Sequence, residues 1–379
     1  MTIVQKIMKI FKEETVLVIA SLLAVVSMFF IKPDMGYVEY IDFRVLGILF
    51  CLMIVMAKFQ ELGIFSLIAY RLLKKTGTTR QLVFVLVLLC FFSSMIITND
   101  VALLTFVPFG ILTLKQAKRE ELLLKVVVLQ TIAANLGSML TPIGNPQNLY
   151  LYNLAGISLV DFLKLMLPYT LLSLVLLLGM MLFMKNEVME HRGFASVQEE
   201  ATAGRGKFYL HTLLYFALFV ISLLTVAHIL PYQLVVAMVI VIVIFTDRNM
   251  LKKVDYSLLL TFVAFFIFVG NMQKLPVVKE WLLGLVEGRE LLMSILSSQV
   301  ISNVPAAFLL SGFTDQYDRL IVGTNLGGLG TLIASMASLI SYKFYVKEYP
   351  EKKGGYFWNF TIMNLFFIIV LVVVEVFVL

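Results

Sequence analysis

Long apolar runs separated by short basic clusters constrain this chain more than any other feature of its sequence. The runs are about 14 to 25 residues long, which suits helices that cross the roughly 30 Å hydrocarbon core of a bilayer. They are continuously apolar rather than alternating, which disfavours a transmembrane β-barrel. Only 14% of the 379 residues are charged, where a soluble protein has about 25%. The sequence therefore predicts an all-α polytopic membrane protein without an attached soluble domain.

Clusters of Lys and Arg separate the apolar runs and predict the topology, because cytoplasmic loops carry an excess of basic residues. Placing every cluster in the cytoplasm predicts a multi-pass protein of the cell membrane with a cytoplasmic N-terminus. The first run could belong to a signal peptide, but no clear cleavage site follows it, which favours a retained first span at about 14–31. The clusters are Lys6, Lys9 and Lys12; Arg71, Lys74, Lys75 and Arg80; Lys115, Lys118 and Arg119; Lys185, Arg192, Arg205 and Lys207; Arg248, Lys252 and Lys253; and Lys343, Lys347, Lys352 and Lys353.

The composition also limits the partners and the chemistry of the protein. The net charge of +6 follows from the loop clusters, so it does not indicate nucleic-acid binding. Cys51 and Cys90 both lie inside apolar runs and are expected to be free buried thiols. The sequence contains no Walker motif, zinc-ligand spacing or nucleophile elbow, which disfavours an ATP-driven pump and an enzyme.

Two pairs of short apolar runs, 81–114 and 290–313, are predicted to form re-entrant helical hairpins. The arms of the first, about 81–97 and 101–114, reach roughly 25 and 21 Å at 1.5 Å per residue, short of the ~30 Å core. Polar residues stand at both tips, "TND" in the first hairpin and "SNVP" in the second. A polar turn in a loop at the membrane surface is the alternative interpretation of both tips.

Two longer runs, 122–152 and 316–345, are predicted to be broken transmembrane helices. The first is interrupted by "NLGSMLTPIGNPQN" and the second by "TNLGGLGT". In hydrocarbon an unpaired backbone amide or carbonyl costs several kcal/mol, so such breaks are stable only around a protein-lined cavity. We therefore expect the breaks and the hairpin tips to enclose one site near the middle of the membrane. The alternative for the glycines in these breaks is close helix packing.

The hairpin and the broken helix occur twice in the same order, which indicates an internal repeat. Four of seven positions match between "SSMIITN" and "SSQVISN", with Asn99 and Asn303 separated by 303 − 99 = 204 positions. Five of nine match between "NLGSMLTPI" and "NLGGLGTLI", with Asn135 and Asn325 separated by 325 − 135 = 190 positions. Five predicted crossings lie between the hairpins, so the second would enter from the opposite face. The predicted organisation is an N-terminal repeat, 1–184, a cytoplasmic linker, 185–207, and a C-terminal inverted-topology repeat, 208–379.

These stretches resemble the ion transporter superfamily, which includes arsenite permeases, divalent anion:sodium symporters, citrate carriers and related sodium/proton antiporters. "TNDVALLTFVP", "ANLGSMLTPIGNPQN" and "SNVPAAFLL" are most similar to the arsenite-permease branch. The resemblance implies two inverted repeats, each with a re-entrant hairpin and a broken helix, and transport coupled to sodium or protons. A homodimer is expected, with no cofactor other than sodium as a coupling ion.

The resemblance also places Asn99 and Asn303 against the substrate or sodium. Side-chain amides and the carbonyls of broken helices suit hard cations, whereas helix N-termini attract anions. The predicted substrate-binding residues are Thr98, Asn99, Asp100, Thr141, Asn145, Asn148, Ser302, Asn303 and Thr331. The predicted cation-binding residues are Ser94, Asn99, Asn135, Gly137, Ser298, Asn303, Asn325 and Gly327, with sodium expected at Asn99, Asn135, Asn303 and Asn325.

Asp100 is the only acid that the predicted topology places in the depth of the membrane, where ionisable side chains are expensive and usually functional. It is the predicted proton-coupling residue, and the alternative role is that of a helix N-cap. The carboxylate symporters carry Ser-Asn-Thr at each hairpin tip, whereas the Thr positions here hold Asp100 and Val304. This difference argues against a dicarboxylate substrate.

The sequence as a whole predicts a cation-coupled secondary active transporter of a small anion or oxyanion, working by alternating access. Sodium and proton coupling both remain open, as do import and export. Arsenite or similar metalloid efflux and sodium/proton antiport are the alternatives within this class. A channel and a receptor or scaffold are the alternatives outside it, and no enzymatic activity is expected.

Overall fold

The chain folds almost entirely into helices. The computed structural model describes residues 14–189 and 205–377, and in those ranges the single bridge Thr78–Val188 is the only β pairing. This confirms the predicted all-α class, whereas the inverted orientation of the two repeats stays a prediction. Most of the predicted linker 185–207 lies outside the described residues, as do Lys6, Lys9, Lys12 and Arg192.

The first half of the chain contains eight α-helices in its described part. They are α1 (Thr15–Met28), α2 (Phe43–Glu61), α3 (Ile64–Leu73), α4 (Thr79–Ser93), α5 (Asn99–Gln116), α6 (Leu123–Ser138), α7 (Pro146–Ala155) and α8 (Leu159–Leu182). α4 and α5 occupy the predicted first hairpin and are joined by residues 94–98. α6 and α7 occupy the predicted first broken helix, and residues 139–145 between them are not helical.

The second half contains nine α-helices within the described ranges. They are α9 (Arg205–Val226), α10 (Tyr232–Asp247), α11 (Tyr256–Gln273), α12 (Pro276–Val286), α13 (Glu290–Ile301), α14 (Asn303–Ser311), α15 (Tyr317–Gly327), α16 (Met336–Glu348) and α17 (Lys353–Phe377). α13 and α14 occupy the predicted second hairpin, with Ser302 between them. α15 and α16 occupy the predicted second broken helix, which is interrupted at residues 328–335.

Several of these helices have the length and composition of membrane spans. Seven helical segments of the described chain qualify, namely Phe43–Glu61, Glu120–Ser138, Leu159–Leu182, Phe208–Val226, Tyr232–Lys253, Tyr256–Gln273 and Pro350–Phe377. The first arms of the two hairpins are apolar but shorter, with 15 residues in α4 and 12 in α13. At 1.5 Å per residue they reach roughly 22 and 18 Å, less than the ~30 Å hydrocarbon core. The protein is therefore a multi-pass membrane protein with some helices too short to cross.

A third repeated element, absent from the predicted repeat, is formed by α2 and α11. Both helices begin immediately after an aspartate N-cap. Oδ1 of Asp42 accepts a hydrogen bond from the backbone N–H of Val45, and Oδ1 of Asp255 accepts one from that of Leu258, each at 2.9 Å. The two helix starts are 256 − 43 = 213 positions apart. Because a cap satisfies N–H groups that a helix leaves unpaired, it fixes both starts at equivalent positions.

The hairpins pack closely against the broken helices, α4 against α6 and α13 against α15. Glycines make both crossings possible. A Cβ atom on Gly137 would lie 2.0 Å from the carbonyl oxygen of Phe91, and one on Gly327 would lie 2.6 Å from Oγ of Ser298. The two glycines are 190 positions apart, the separation found for the broken helices in the sequence. Both glycines therefore permit close helix packing, and their predicted part in a cation site stays a prediction.

Candidate functional site

The breaks in the two broken helices meet inside the protein. Asn325, near the end of α15, donates from Nδ2 to Oδ1 of Asn148 at 2.6 Å. Its own Oδ1 accepts from Nδ2 of Asn145 at 3.5 Å. Asn145 is the N-cap of α7 and Asn148 lies in the first turn of that helix. The asparagine before the second break is thereby bound to the residues that begin the helix after the first break.

The first half makes the reciprocal contact with the second. Oδ1 of Asn135 accepts from Oγ of Ser335 at 3.1 Å, and Nδ2 of Asn135 donates to Oγ of Ser338 at 3.3 Å. The two serines follow the asparagine of their own half by 10 and 13 positions, the spacing at which Asn145 and Asn148 follow Asn135. Each break asparagine therefore contacts the same two positions of the other half, so these contacts are reciprocal.

Each hairpin tip is bound to the break of its own half. The backbone N–H of Asn99 donates to the carbonyl of Gly144 at 3.1 Å, and that of Asn303 donates to the carbonyl of Ala334 at 2.9 Å. Gly144 and Ala334 are 190 positions apart, so the two bonds are equivalent. The first residue of each second hairpin arm is thus held against the adjacent break.

A second pair of equivalent hydrogen bonds joins the same elements. Oγ1 of Thr141 donates to the carbonyl of Met95 at 2.6 Å, and Oγ1 of Thr331 donates to the carbonyl of Gln299 at 3.2 Å. Both threonines lie in a break and both acceptors lie near the end of a first hairpin arm. Hairpin and break are therefore joined by hydrogen bonds at two points in each half.

The asparagines at the two tips differ in their side-chain contacts. Nδ2 of Asn99 donates to Oδ1 of Asn135 at 3.0 Å, and Oδ1 of Asn99 accepts from the backbone N–H of Asp100 at 2.9 Å. Oδ1 of Asn303 instead accepts from Oγ of Ser302 at 3.4 Å. Ser302 has a φ of 74°, a backbone conformation that is uncommon for residues other than glycine. The two-fold arrangement of the breaks therefore does not extend to the tip side chains.

The side chains that meet at the breaks are buried and uncharged. Asn135, Asn145, Asn148, Asn325 and Ser335 are each at most 4% exposed. Among the described residues, no Lys or Arg side chain hydrogen-bonds to any of them. The site offers amide and hydroxyl dipoles and no fixed charge of its own. Such groups bind a small anion through N–H and O–H donors, or a cation through oxygen atoms.

A cavity of about 220 Å³ lies between α2 and the first hairpin. Thr98 and Asp100 line it, as do Lys253 and Asp255. Thr98 is the N-cap of α5, so Asp100, in the first turn of that helix, does not have the alternative role of N-cap. The other lining residues are mostly apolar: Leu49, Leu52, Met53, Met56, Ala57, Gln60, Ile96, Ile97, Val101, Leu104, Ile143, Pro146 and Leu258.

The structure divides the predicted site residues into three groups. The first group meets at the breaks and tips and contains Asn99, Thr141, Asn135, Asn145, Asn148, Ser302, Asn303, Asn325 and Thr331. The second group, Thr98 and Asp100, lines the cavity. The third group consists of Ser94, Gly137, Ser298 and Gly327, which lie where a hairpin crosses a broken helix.

The serines of the third group are hydrogen-bonded within their own hairpin arms. Oγ of Ser94 donates to the carbonyl of Phe91 at 2.9 Å, and Oγ of Ser298 donates to that of Ser294 at 2.6 Å. Both serines lie directly against a glycine of the broken helix. A hydroxyl that donates its hydrogen keeps its oxygen lone pairs, so their predicted cation-binding role stays a prediction. The described residues contain no group of three or more His, Cys, Asp or Glu side chains that could hold a metal ion.

Three residues at the breaks were not among those predicted. The offset of 190 positions maps Asn145 and Asn148 onto Ser335 and Ser338, so the repeat itself contained the signal for these two serines. Gln147 is the third. Its side chain is 0% exposed, and neither Oε1 nor Nε2 has a hydrogen-bond partner in the described part of the chain. Only its position inside "GNPQN" could have indicated it.

Comparison with known proteins assigns this architecture to a family. A family model described as citrate transporter matches residues 3–315. An uncharacterized transporter of Methanocaldococcus jannaschii is 28% identical over 304 residues, which cover 80% of this chain and 81% of that protein. The inner membrane protein YbiR of Escherichia coli is 30% identical over 309 residues, 80% of each chain. The silicon efflux transporter LSI3 of rice is 31% identical over 176 residues, 46% of this chain and 35% of that protein.

Proposed function

The chain belongs to the citrate transporter family of membrane transporters, and from this membership we propose that it is a cation-coupled secondary active transporter of a small oxyanion or oxyacid. Transport would proceed by alternating access, in which the two hairpins open in turn. One observation supports this mechanism above all: a cavity lies beside the first hairpin, whereas side chains fill the equivalent space beside the second.

The open side is lined by aliphatic side chains. Leu49, Leu52 and Met53 of α2 and Leu104 of α5 line the cavity. Gln60, at the end of α2, lines it as well, and no hydrogen bond links its side chain to the described residues of the first hairpin. The first hairpin is therefore separated from α2 along this surface.

The equivalent positions of the second half are all phenylalanines. An offset of 213 positions maps the three residues of α2 onto Phe262, Phe265 and Phe266, and an offset of 204 maps Leu104 onto Phe308. The ring centroid of Phe308 lies 4.5, 6.0 and 5.2 Å from those of the three α11 residues in that order. Phe308 is only 1% exposed. Where the first half has a cavity, the second half is closed by aromatic rings.

Two further contacts hold the second hairpin in this closed position. The ring of Tyr150 stacks on Phe308 at a centroid distance of 4.2 Å, and its hydroxyl shares a hydrogen bond of 2.9 Å with Oγ of Ser311. Gln273, the equivalent of Gln60, donates from Nε2 to the carbonyl of Gly312 at 2.8 Å. The second hairpin is thus bound to both α7 and α11.

This difference between equivalent halves is what an alternating-access transporter needs. If the first hairpin closed on α2 while the second moved away from α11, the cavity beside the first hairpin would close and one beside the second would open. A substrate bound at the breaks would then lose access to one face of the membrane and gain access to the other. Lys253 lines the present cavity and belongs to a basic cluster, so the cavity would open to the cytoplasm in the predicted topology. The N-terminus would then be cytoplasmic.

The uncharged site favours a small substrate of low charge. A tricarboxylate would bring several negative charges to a site without Lys or Arg, at a high desolvation cost. A small oxyanion can be held by amide and hydroxyl donors, and Asp100 can supply the coupling by carrying a proton or pairing with sodium. Export of an uncharged oxyacid is the second candidate, because a neutral solute suits the same side chains and the rice relative is named a silicon efflux transporter.

Transport into proteoliposomes tests this function. Purified protein is given silicic acid, arsenite or citrate as a probe, with an imposed sodium or proton gradient. A coupled carrier accumulates a probe against its own gradient and saturates, and it loses accumulation when the ion gradient is collapsed. Equilibration without accumulation would identify a channel and contradict the proposal.

Cysteine labelling tests the alternating opening directly. Cys51 and Cys90 are buried, so a membrane-impermeant maleimide should leave the wild-type protein unmodified. Leu104→Cys should be labelled from one face of the membrane only, because Leu104 lines the cavity. Ala307→Cys, in the closed hairpin, should be labelled only from the other face and only during turnover. Labelling of both variants from one face would contradict alternating access.

A further inference from the structure

Gln147 is the most unusual polar residue of the protein. It is fully buried, and both of its amide atoms are without a hydrogen-bond partner among the described residues. Buried polar side chains in proteins are nearly always hydrogen-bonded, because an unpaired buried group loses its interaction with water without replacement. Among the buried amide side chains of the described residues, no other has both polar atoms unpaired. The hydrogen-bond partner of such a residue is expected to come from a bound molecule.

The position of Gln147 identifies where that partner would lie. Gln147 is in the first turn of α7, between Pro146 and Asn148, immediately after the first break. The neighbouring N-cap, Asn145, also has an unpaired buried oxygen, Oδ1. Pro146 has no backbone N–H and that of Asn148 donates to the carbonyl of Asn145 at 3.1 Å, so the unpaired groups are the side-chain atoms. Unpaired donors and acceptors are therefore concentrated at this one helix start.

The direction of the side chain follows from the helix. Gln147 and Tyr150 are three positions apart, so they are neighbours on one face of α7. Tyr150 contacts Phe308 and Ser311 of α14, which places this face against the second hairpin. Gln147 is one turn closer to the break and hence to the hairpin tip, where α14 begins at Asn303.

The other side-chain amides at the breaks do not have both polar atoms unpaired. Asn325 uses both Nδ2 and Oδ1 across the breaks, and so does Asn135. Asn148 accepts from Asn325 through Oδ1 and donates from Nδ2 to the carbonyl of Thr141 at 3.2 Å. The position equivalent to Gln147 in the second half is Ala337, 190 positions later, which has no polar side chain. The unpaired side-chain amide of Gln147 therefore has no equivalent in the second half.

We propose, on the basis of the proposed function, that Gln147 is the substrate-contacting residue that determines specificity. Its primary amide presents one donor, Nε2, beside one acceptor, Oε1. The group that matches this pair has an acceptor oxygen and a hydroxyl on the same central atom, as a protonated or partly protonated oxyacid does. A fully ionised carboxylate offers acceptors alone, so it would leave Oε1 facing a like partial charge. Gln147 therefore selects hydroxyl-bearing oxyacids over fully ionised carboxylates.

The test is Gln147→Met, which keeps the length of the side chain and removes both polar atoms. Thermal unfolding of purified protein is measured without a probe and with silicic acid, arsenite or citrate, alongside uptake into proteoliposomes. Because an unpaired amide is replaced by an apolar group, we expect the variant without a probe to unfold at the wild-type temperature or above it. We expect the stabilisation by the transported probe to disappear and the KM for its uptake to rise about tenfold or more.

Gln299→Met is the matched control. Nε2 of Gln299 donates to the carbonyls of Gly327 and Leu329, both at 2.9 Å, and its Oε1 accepts from the backbone N–H of Thr331 at 2.9 Å. A glutamine with a structural role of this kind should lower the unfolding temperature when it is replaced. If Gln147→Met behaves like Gln299→Met, Gln147 is a structural residue and the inference is wrong.

Gln147→Glu separates the substrate classes. At neutral pH an ionised glutamate offers acceptors only, so it can still accept from the hydroxyls of silicic or arsenous acid but repels citrate. Retained uptake of the two hydroxylated acids with loss of any citrate uptake supports the inference, and equal loss for all probes contradicts it. If the wild-type protein transports a probe and Gln147→Met transports it with the same KM, the role of Gln147 is wrong but the proposed function stands. A wild-type protein that transports none of the three contradicts the proposed function, and the inference with it.

Discussion

Leu104 and Phe308 occupy equivalent positions in the two hairpins, yet Leu104 lines an open cavity while Phe308 is packed beneath the ring of Tyr150. The exposed fraction of the residue is 42% for Leu104 and 1% for Phe308. The two hairpins of the predicted repeat therefore pack differently against their neighbours. This relationship identifies residues at which the balance between the two positions can be changed.

Leu104→Phe should hold the first hairpin in a closed position. The larger ring extends into a cavity of about 220 Å³, so it can be accommodated without the overpacking that a filled core would suffer. We expect the initial rate of uptake to fall about tenfold, which corresponds to 1.4 kcal/mol of preference for the closed state, with an unchanged unfolding temperature. Leu112→Phe, at a similarly exposed position of the same helix that does not line the cavity, is the control and should leave uptake unaltered. Equal uptake in both variants would contradict the closing role.

Tyr150→Phe should weaken the closed position of the second hairpin. The substitution keeps the ring on Phe308 and removes the hydroxyl that bonds Ser311 at 2.9 Å. The loss of one such bond is worth about 1 kcal/mol, roughly a fivefold change in the equilibrium between closed and open hairpin. Maleimide labelling of Ala307→Cys should therefore become faster in this background. Ser311→Ala removes the same bond and also the one that Oγ of Ser311 donates to the carbonyl of Phe308 at 3.0 Å, so it should speed the labelling as well. Adding Tyr150→Phe to Ser311→Ala should then change little, since the bond between them is already lost.

Asp100→Asn should remove the dependence of uptake on sodium or pH while the protein remains folded. Asp100 lies in the first turn of α5, where Thr98 is the N-cap, so the helix start does not depend on the carboxylate. The amide keeps the size of the side chain but neither binds a proton nor attracts sodium. Uptake is measured as a function of external pH and sodium in both proteins. Identical profiles and rates would show that Asp100 has no part in coupling.

Gly137→Ala should destabilise the protein, because the new Cβ would lie 2.0 Å from the backbone oxygen of Phe91. α4 and α6 would have to separate, at a cost of about 1–3 kcal/mol or more for forced overpacking. We expect a clear decrease in the unfolding temperature. Gly179→Ala, in the interior of α8 with no atom within 4 Å of the added Cβ, is the matched control and should be neutral or mildly stabilising. Similar decreases in both would show that the crossing is less close than the structure indicates.

Much of the helix order follows from local features of the sequence. α5 begins at Asn99 and α14 at Asn303, where the polar tips interrupt the apolar runs. α7 begins at Pro146, because proline at the first position of a helix lacks the N–H that would otherwise be unpaired. These boundaries depend on neighbouring residues and on the exclusion of unpaired backbone from hydrocarbon, and both are visible in one sequence.

The pairing of side chains across the breaks could be predicted only in part. The amide-rich composition and the offset between the repeats indicated Asn135 and Asn325, but each binds residues of the other half through contacts that span 177 to 203 positions. Ser94 and Ser298 occupy equivalent positions in the sequence, but only the structure shows that they lie at helix crossings and donate to their own arms. These contacts depend on the rotation of each helix about its axis, which the packing of its neighbours sets.

The sequence by itself determined that this is a helical membrane protein. Long apolar runs, scarce charge and polar interruptions at repeated intervals fit few other arrangements in a bilayer. Only the tertiary structure decided that Gln147 is left without a partner and that Leu104 and Phe308 stand in different environments. The physical reason is that hydrogen-bond satisfaction and cavity volume depend on which helix faces which, a property of long-range packing. Local propensity places a residue on a helix, but the neighbouring helices determine whether its polar atoms are free to bind a substrate.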